Sequence, residues 1–274
     1  LIDEDALYDS LKKGGIAAAA LDVYENEPPT NSPLLGLDNI VFTPHLGAST
    51  SEAQLEVSVE IARQATTYLR TGEAVNALNL PRQSAEELKK SRPFMGLANK
   101  LGRMLAGIAT SPLTHVEVAL FGKAAEVDPH PISVETLVGI LTDHLSVPVN
   151  RVNAADLAKR QGISLTESRT EETHDYLSLI QVSGQFGDES VTLSGTLLGG
   201  CHPRLVSIDR FEIEVVPEGT LLITRHDDKP GVIADLGGVL AEAGINISRM
   251  QVGIADEGHE DEAMAVISVS ETLS

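Results

Sequence analysis

An imidazole and two carboxylates within the first fifty residues have the types and spacing of a proton-handling site. His45 follows Pro44 directly, and Asp22 and Glu27 belong to the stretch D22-V-Y-E-N-E27-P-P upstream. A carboxylate against an imidazole favours the charged form of both and fixes which ring nitrogen carries the proton. Those are the requirements of a general acid/base. The plainer alternative for His45 is a loop histidine tied down by hydrogen bonds.

The flanking segments explain how such groups could meet. Ile16 to Val23, IAAAALDV, and Asn39 to Thr43 are short apolar runs that suit buried strands, the second buried on both faces. Pro44 cannot donate to a ladder and holds Thr43 extended, so the second strand stops there. His45 then leaves the sheet at a strand's carboxyl end, where open α/β sheets place ligands. S49-T-S-E52 reads as a capping box that opens a helix running to about Arg70. That helix repeats Ala53, Val57, Ile61 and Ala65, with Leu55, Val59 and Ala62 beside them, a stripe wide enough to predict burial against more than one element. Asp3 to Lys13 is a short amphipathic helix with Ala6, Leu7 and Leu11 inward, acids leading and lysines trailing, ended by Gly14-Gly15.

The phrases G15-I-A-A-A-A-L-D-V-Y-E-N-E-P-P, S32-P-L-L and N39-I-V-F-T-P-H-L-G-A-S-T resemble the D-isomer-specific 2-hydroxy acid dehydrogenases, near-continuously over residues 1 to 80. The resemblance implies His45 as the acid/base, Glu27 as the residue that orients it, and Asp22 as a contact to the nicotinamide amide of NAD. It further implies the branch of the family that oxidises 3-phosphoglycerate to 3-phosphohydroxypyruvate at the entry to L-serine biosynthesis. The family's G-x-G-x-x-G fingerprint occurs nowhere in this sequence. The family's catalytic arginine would stand a few residues before Leu1. The expectation is therefore a C-terminal piece of a longer chain: the tail of a doubly wound nucleotide- and substrate-binding part over 1–80.

The remainder reads as α+β. Polar Pro81 to Ser91 marks a boundary, and Arg92 to Thr110 has the spacing of a helix. His115 to Phe121 alternates as a strand, and Ile132 to Leu145 and Asn153 to Gln161 read as helices. Ile163 to Ser168, Tyr176 to Ser183, Ser190 to Leu197, Arg204 to Ile208 and Phe211 to Val216 are strand-like. Residues 81–217 resemble, more loosely, the intervening anion-binding domain of long-form family members. Arg204, Arg210, Arg151, Lys159 and Arg160 could face a phosphate or carboxylate there, or be solvated surface. Cys201-His202 makes a poor metal site without a second pair of ligands, and no metal is expected.

From Gly219 the sequence gives a strand, a D-x-P-G turn, a helix over Val232 to Ala243 with Ile233, Leu236, Val239 and Leu240 inward, and two strands over Ile245 to Ile254 and Glu262 to Ser270. They join at a hairpin-like turn, D256-E-G-H. This βαββ run, 218–274, resembles the ferredoxin-like ACT domain, a regulatory module that often binds amino acids. The resemblance implies a further helix and strand after Ser274, whose lack would leave one sheet face and one edge bare. It also implies L-serine as allosteric effector, held between paired modules by His226, Asp228 and Asn246. The strand from Ile245 would be the pairing edge of a homo-oligomer, expected to be a tetramer.

Composition narrows the partners. The 274 residues carry a net charge of −20 with no basic run, which argues against nucleic acid and anionic membranes. Aromatics are 3% without tryptophan, so cores rest on aliphatic side chains. One cysteine allows no internal disulfide and fits a reducing cytoplasm. Two functions remain open: an NAD-dependent oxidoreductase, or, for this polypeptide alone, a non-catalytic regulatory and assembly module that binds L-serine. An amino-acid sensor unrelated to dehydrogenases leaves PHLGAST unexplained.

Overall fold

The computed structural model describes residues 2–71, 74–77, 85–172, 175–255 and 261–270. It divides into two compact units, 1–78 and 79–274. The polar residues 81–84, the turn at 256–259, and His174 and His259 lie outside the described residues.

The first unit opens with α1 (Glu4–Lys12), capped by Asp3, whose carboxylate accepts from Ala6 N at 2.9 Å. Gly14, at φ +72°, supplies the left-handed stop. Two parallel strands follow, β1 (Ala19–Leu21) and β2 (Ile40–Phe42), in register Ala19 with Ile40 and Leu21 with Phe42. Their core is Leu11, Leu21, Leu34 and Ile40. The strands are shorter and barer than the sequence predicts: Val41 is 64% exposed, so β2 is not buried on both faces. The core gathers on one side of the pair, where α1 and Leu34 sit. In α1 the inward stripe is Glu4, Leu7 and Leu11, while Ala6 is exposed.

Helix α2 (Ser51–Thr71) is capped one residue later than expected. Thr50 Oγ1 accepts from Ala53 N at 3.1 Å, which puts Glu52 at the second helical position, too early for the reciprocal bond of a capping box. None of its side chains is buried, and Leu55, Val57 and Ile61 are exposed. The predicted burial of this stripe is not observed, because no described residue of the first unit covers it.

In the second unit, α3 (Ala85–Ile108) begins seven residues before the predicted start at Arg92 and takes Pro93 into its interior. Proline removes one helical hydrogen bond and crowds one carbonyl, and the long buried stripe Met95, Leu97, Ala98, Leu101 and Leu105 outweighs that cost. The six-stranded sheet runs β4-β3-β5-β6-β7-β8. Its strands are β3 (Leu113–Gly122), β4 (Ser164–Thr170), β5 (Ser178–Phe186), β6 (Glu189–Leu198), β7 (His202–Ile208) and β8 (Phe211–Val215). Only the β3–β4 pair is parallel. Between β3 and β4 lie α4 (Pro129–Thr142) and α5 (Ala154–Arg160). Helices α3 and α4 touch through glycine: a Cβ on Gly102 would lie 2.2 Å from Thr136 O, and one on Gly139 would lie 2.1 Å from Asn99 O.

The C-terminal sheet runs β10-β11-β9, all antiparallel, from β9 (Thr220–Asp227), β10 (Ile247–Ile254) and β11 (Glu262–Val269). Helix α6 (Val232–Glu242) lies on the face bearing Leu222, Ala265, Ile267 and Val269, through Leu236 and Leu240. Ile233 and Val239 were expected inward but are exposed, Val239 at 65%. A single helix over three strands buries one narrow stripe, and those two flank it. One sheet face was expected bare; the face away from α6 is covered, since Leu221, Ile223, Met264 and Val266 join the large core of the six-stranded sheet. Phe211 and Ala255 form an antiparallel bridge, and a Cβ on Gly253 would lie 2.4 Å from Glu212 O. The two sheets therefore share one core. Among the described residues no helix is long and apolar enough to cross a membrane.

Candidate active site

Strand β1 ends at Leu21 and β2 at Phe42, and the loops that leave these parallel ends carry the three predicted groups. His45 Nδ1 and Glu27 Oε2 are 2.8 Å apart. The other oxygen of Glu27 accepts from Tyr24 N at 3.2 Å, so the carboxylate is held at both ends. With Nδ1 donating to Glu27, Nε2 is the nitrogen left to exchange a proton.

His45 adopts φ +56°, the left-handed region that few side chains occupy. Asp22 secures that turn. Its Oδ1 accepts from Leu46 N at 2.7 Å and from Thr43 Oγ1 at 2.6 Å, and its Oδ2 accepts from Gly47 N at 2.8 Å. Tyr24 adds a second tie, its hydroxyl donating to Thr43 O at 2.7 Å. Thr43 and Tyr24 were not singled out in the sequence. The signal was a hydroxyl at a strand end two residues before the histidine.

The electrostatics follow from these contacts. The hydrogen bond and charge of Glu27, with a smaller contribution from Asp22, raise His45 above the ordinary histidine value. The His45 bond, then Tyr24 N–H, lower Glu27. The Thr43 hydroxyl, then the Leu46 amide, lower Asp22. The imidazolium–carboxylate form is favoured, and the pair is solvent-accessible.

The C-terminal candidates do not meet within one chain. His226 pairs with Ala263, which pairs with Ile254, whereas Ile247 pairs with Val269, which pairs with Thr220. Asn246 thus lies at the opposite end of the sheet from His226 and Asp228, roughly 20 Å away at ~3.4 Å per residue. At the His226 end, Thr224 Oγ1 and His226 Nε2 are buried without a hydrogen-bond partner among the described residues. Alternation puts both on the α6 side of β9, with Leu222.

Four of the five basic residues considered for an anion site meet carboxylates of their own: Arg151 with Glu135, Arg160 with Asp156, Arg204 with Glu214 and Arg210 with Glu262. A groove of the second unit, lined by Met104, Ile108, Leu221, Ile223 and Met264, contains none of the predicted site residues.

Three family models match the chain in order. Residues 1–47 match the NAD binding domain of D-isomer specific 2-hydroxyacid dehydrogenases, 90–209 the D-3-phosphoglycerate dehydrogenase intervening domain, and 220–272 the ACT domain. A protein of Methanocaldococcus jannaschii named D-3-phosphoglycerate dehydrogenase is 39% identical over 95% of this chain and 49% of its own length. Proteins of the same name from Archaeoglobus fulgidus and Bacillus subtilis are 38% and 34% identical over 92% and 95% of the chain, covering 48% and 50% of their own lengths. The chain spans about half the length of the curated relatives it matches.

Proposed function

We propose that this chain, which is similar along nearly all its length to proteins named D-3-phosphoglycerate dehydrogenase, contributes the acid/base pair of an NAD-dependent oxidation of 3-phosphoglycerate to 3-phosphohydroxypyruvate. The observation that carries the reading is the 2.8 Å contact between His45 Nδ1 and Glu27, which leaves Nε2 free to take a proton. Neutral His45 removes the proton from the substrate's C2 hydroxyl. Glu27 stabilises the imidazolium that forms and keeps the ring in one tautomer. Asp22 holds the turn that aims the ring. A carboxylate has about four acceptor positions and three are used within the chain, so one remains for the amide of a nicotinamide. When bound, NAD supplies the acceptor for the hydride that leaves C2.

The active enzyme provides the test. His45→Ala should lower kcat by roughly 10²- to 10⁴-fold, the usual size of acid/base assistance. His130 also meets a carboxylate, Glu167, at 3.1 Å. His130→Ala should leave kcat unchanged, and equal losses from both variants would remove His45 from the mechanism.

Regulation belongs to the same proposal. L-serine would lie between two C-terminal modules, with His226 and Asp228 from one copy and Asn246 from the other. The separation of these residues within one chain, and a buried His226 Nε2 with no partner among the described residues, support that reading. The pairing edge would be the exposed stretch of β10 before Gly253, since Gly253 and Ala255 already pack on β8. The assembly would be a closed homo-oligomer such as a tetramer, in the cytoplasm. Asn246→Ala should weaken serine binding by roughly 5- to 150-fold, for one or two lost hydrogen bonds. An unchanged affinity by titration calorimetry would place the site elsewhere.

A further inference from the structure

Glu4 is buried although it opens an otherwise solvated helix turn. Its Oε1 accepts from Glu25 N at 2.8 Å and its Oε2 from Ser32 Oγ at 2.5 Å. Glu25 returns the contact, its Oε1 accepting from Glu4 N at 3.1 Å, so two exchanged bonds lock the start of α1 to the loop. These anchors stand at the two ends of the segment 25–32, and Glu27 lies between them. Besides these anchors, the segment is held by its own turns, Thr30 N to Pro28 O and Ser32 N to Pro29 O, and by the contacts of Glu27 itself to Tyr24 N and His45.

Resting on the acid/base reading above, we propose that Glu4 is a positioning residue for the His45–Glu27 pair: it fixes the loop that presents Glu27 to the imidazole. A carboxylate that serves only to cap α1 would not need this geometry. The first-turn amide of Ala6 is capped by Asp3, and the bonds from Glu4's own side chain go to the loop. Burying one carboxylate is compensated here by two donors, which makes its length and shape matter.

The test uses the 274-residue chain and the titration of the His45 imidazole followed by NMR. The charged groups that face this ring are Glu27 and Asp22. Glu27→Gln is the control and should bring His45 down toward the ordinary histidine value. Glu4→Ala should move His45 in the same direction by at least half as much. Glu4→Gln keeps one acceptor and should restore most of the wild-type value. Ser32→Ala removes one anchor and should give a smaller shift of the same sign. It serves as the deciding variant if Glu4→Ala loses its helical circular dichroism. In the active enzyme, Glu4→Ala should lower kcat about 10- to 100-fold with KM nearly constant, the cost of a slightly misplaced group. If Glu27→Gln lowers His45 while Glu4→Ala, or Ser32→Ala in its place, leaves it unmoved, the positioning role is overturned and the acid/base pair stands. If Glu27→Gln itself has no effect, the pair fails.

Discussion

The two units hold their parts in place by different means. In 79–274, α3 and α4 lie against a six-stranded sheet over a continuous aliphatic core, and the C-terminal sheet adds to the same core. In 1–78 the buried apolar set is Leu11, Leu21, Leu34 and Ile40, and the loops beyond it are held by side-chain hydrogen bonds. Asp22 grips one loop, Glu4 the other, and the His45–Glu27 contact joins them. The His130–Glu167 pair of the second unit makes the contrast concrete. Its distance is close to that of His45–Glu27, but His130 sits at the start of α4 against the edge strand β4, and His45 in a left-handed turn. A carboxylate–imidazole distance therefore does not identify a site. What sets His45–Glu27 apart is the set of groups that fix both members.

Variants can push each unit where it depends most on its own mode. The largest effect on stability should come from Leu101→Ala, since Leu101 is fully buried beneath the six-stranded sheet. A loss of about 2–5 kcal/mol is expected in urea unfolding of the second unit, without change in His45 titration. Gly102→Ala should follow, at about 1–3 kcal/mol, because its new methyl meets backbone rather than a movable side chain.

A pH series should affect the first unit selectively. Asp22 and Glu27 are lowered on folding, so their contribution is present above the ordinary carboxylate values and is lost as pH falls through the lowered ones. His45 is raised, so its contribution is complete below the ordinary histidine value and is lost as pH rises through the raised one. Protection of the Leu46 and Gly47 amides from hydrogen exchange, corrected for intrinsic rates, should peak between those ranges. Amides of β5 and β6 should show no such maximum. The smallest effect belongs to Val41→Thr, within about 0.5 kcal/mol in thermal unfolding of this chain, since the side chain is mostly in water.

Much of this was legible in the sequence. Pro44 after a β-branched run, and an acid-rich exit from the preceding strand, were enough to place His45 and Glu27 at neighbouring strand ends. The strand-like runs gave β6 and β8 to within a residue at each end, whereas β5 runs Ser178–Phe186 and not Tyr176 to Ser183. The misreadings have physical causes. The start of α3 was missed because the polar run Pro81 to Ser91 read as a boundary, and local propensity yielded to packing. Glu4 was missed because an acid in a helix's first turn is ordinarily a solvated complement to the helix dipole. Val239 fits an apolar stripe by spacing, but spacing does not say how many neighbours a helix has. The separation of Asn246 from His226 depends on strand register, which no local pattern encodes.

The face made by Leu221, Ile223, Met264 and Val266 bears on how the C-terminal module can be studied. A segment excised at Gly219 would carry these side chains uncovered, on the side of the sheet away from α6. It would also expose the backbone beside Gly253 that now lies against Glu212. Such a segment should self-associate through a surface that is interior in the longer chain. Dimers formed by the excised piece would therefore report on that surface, and only those seen with the six-stranded sheet attached bear on pairing along β10.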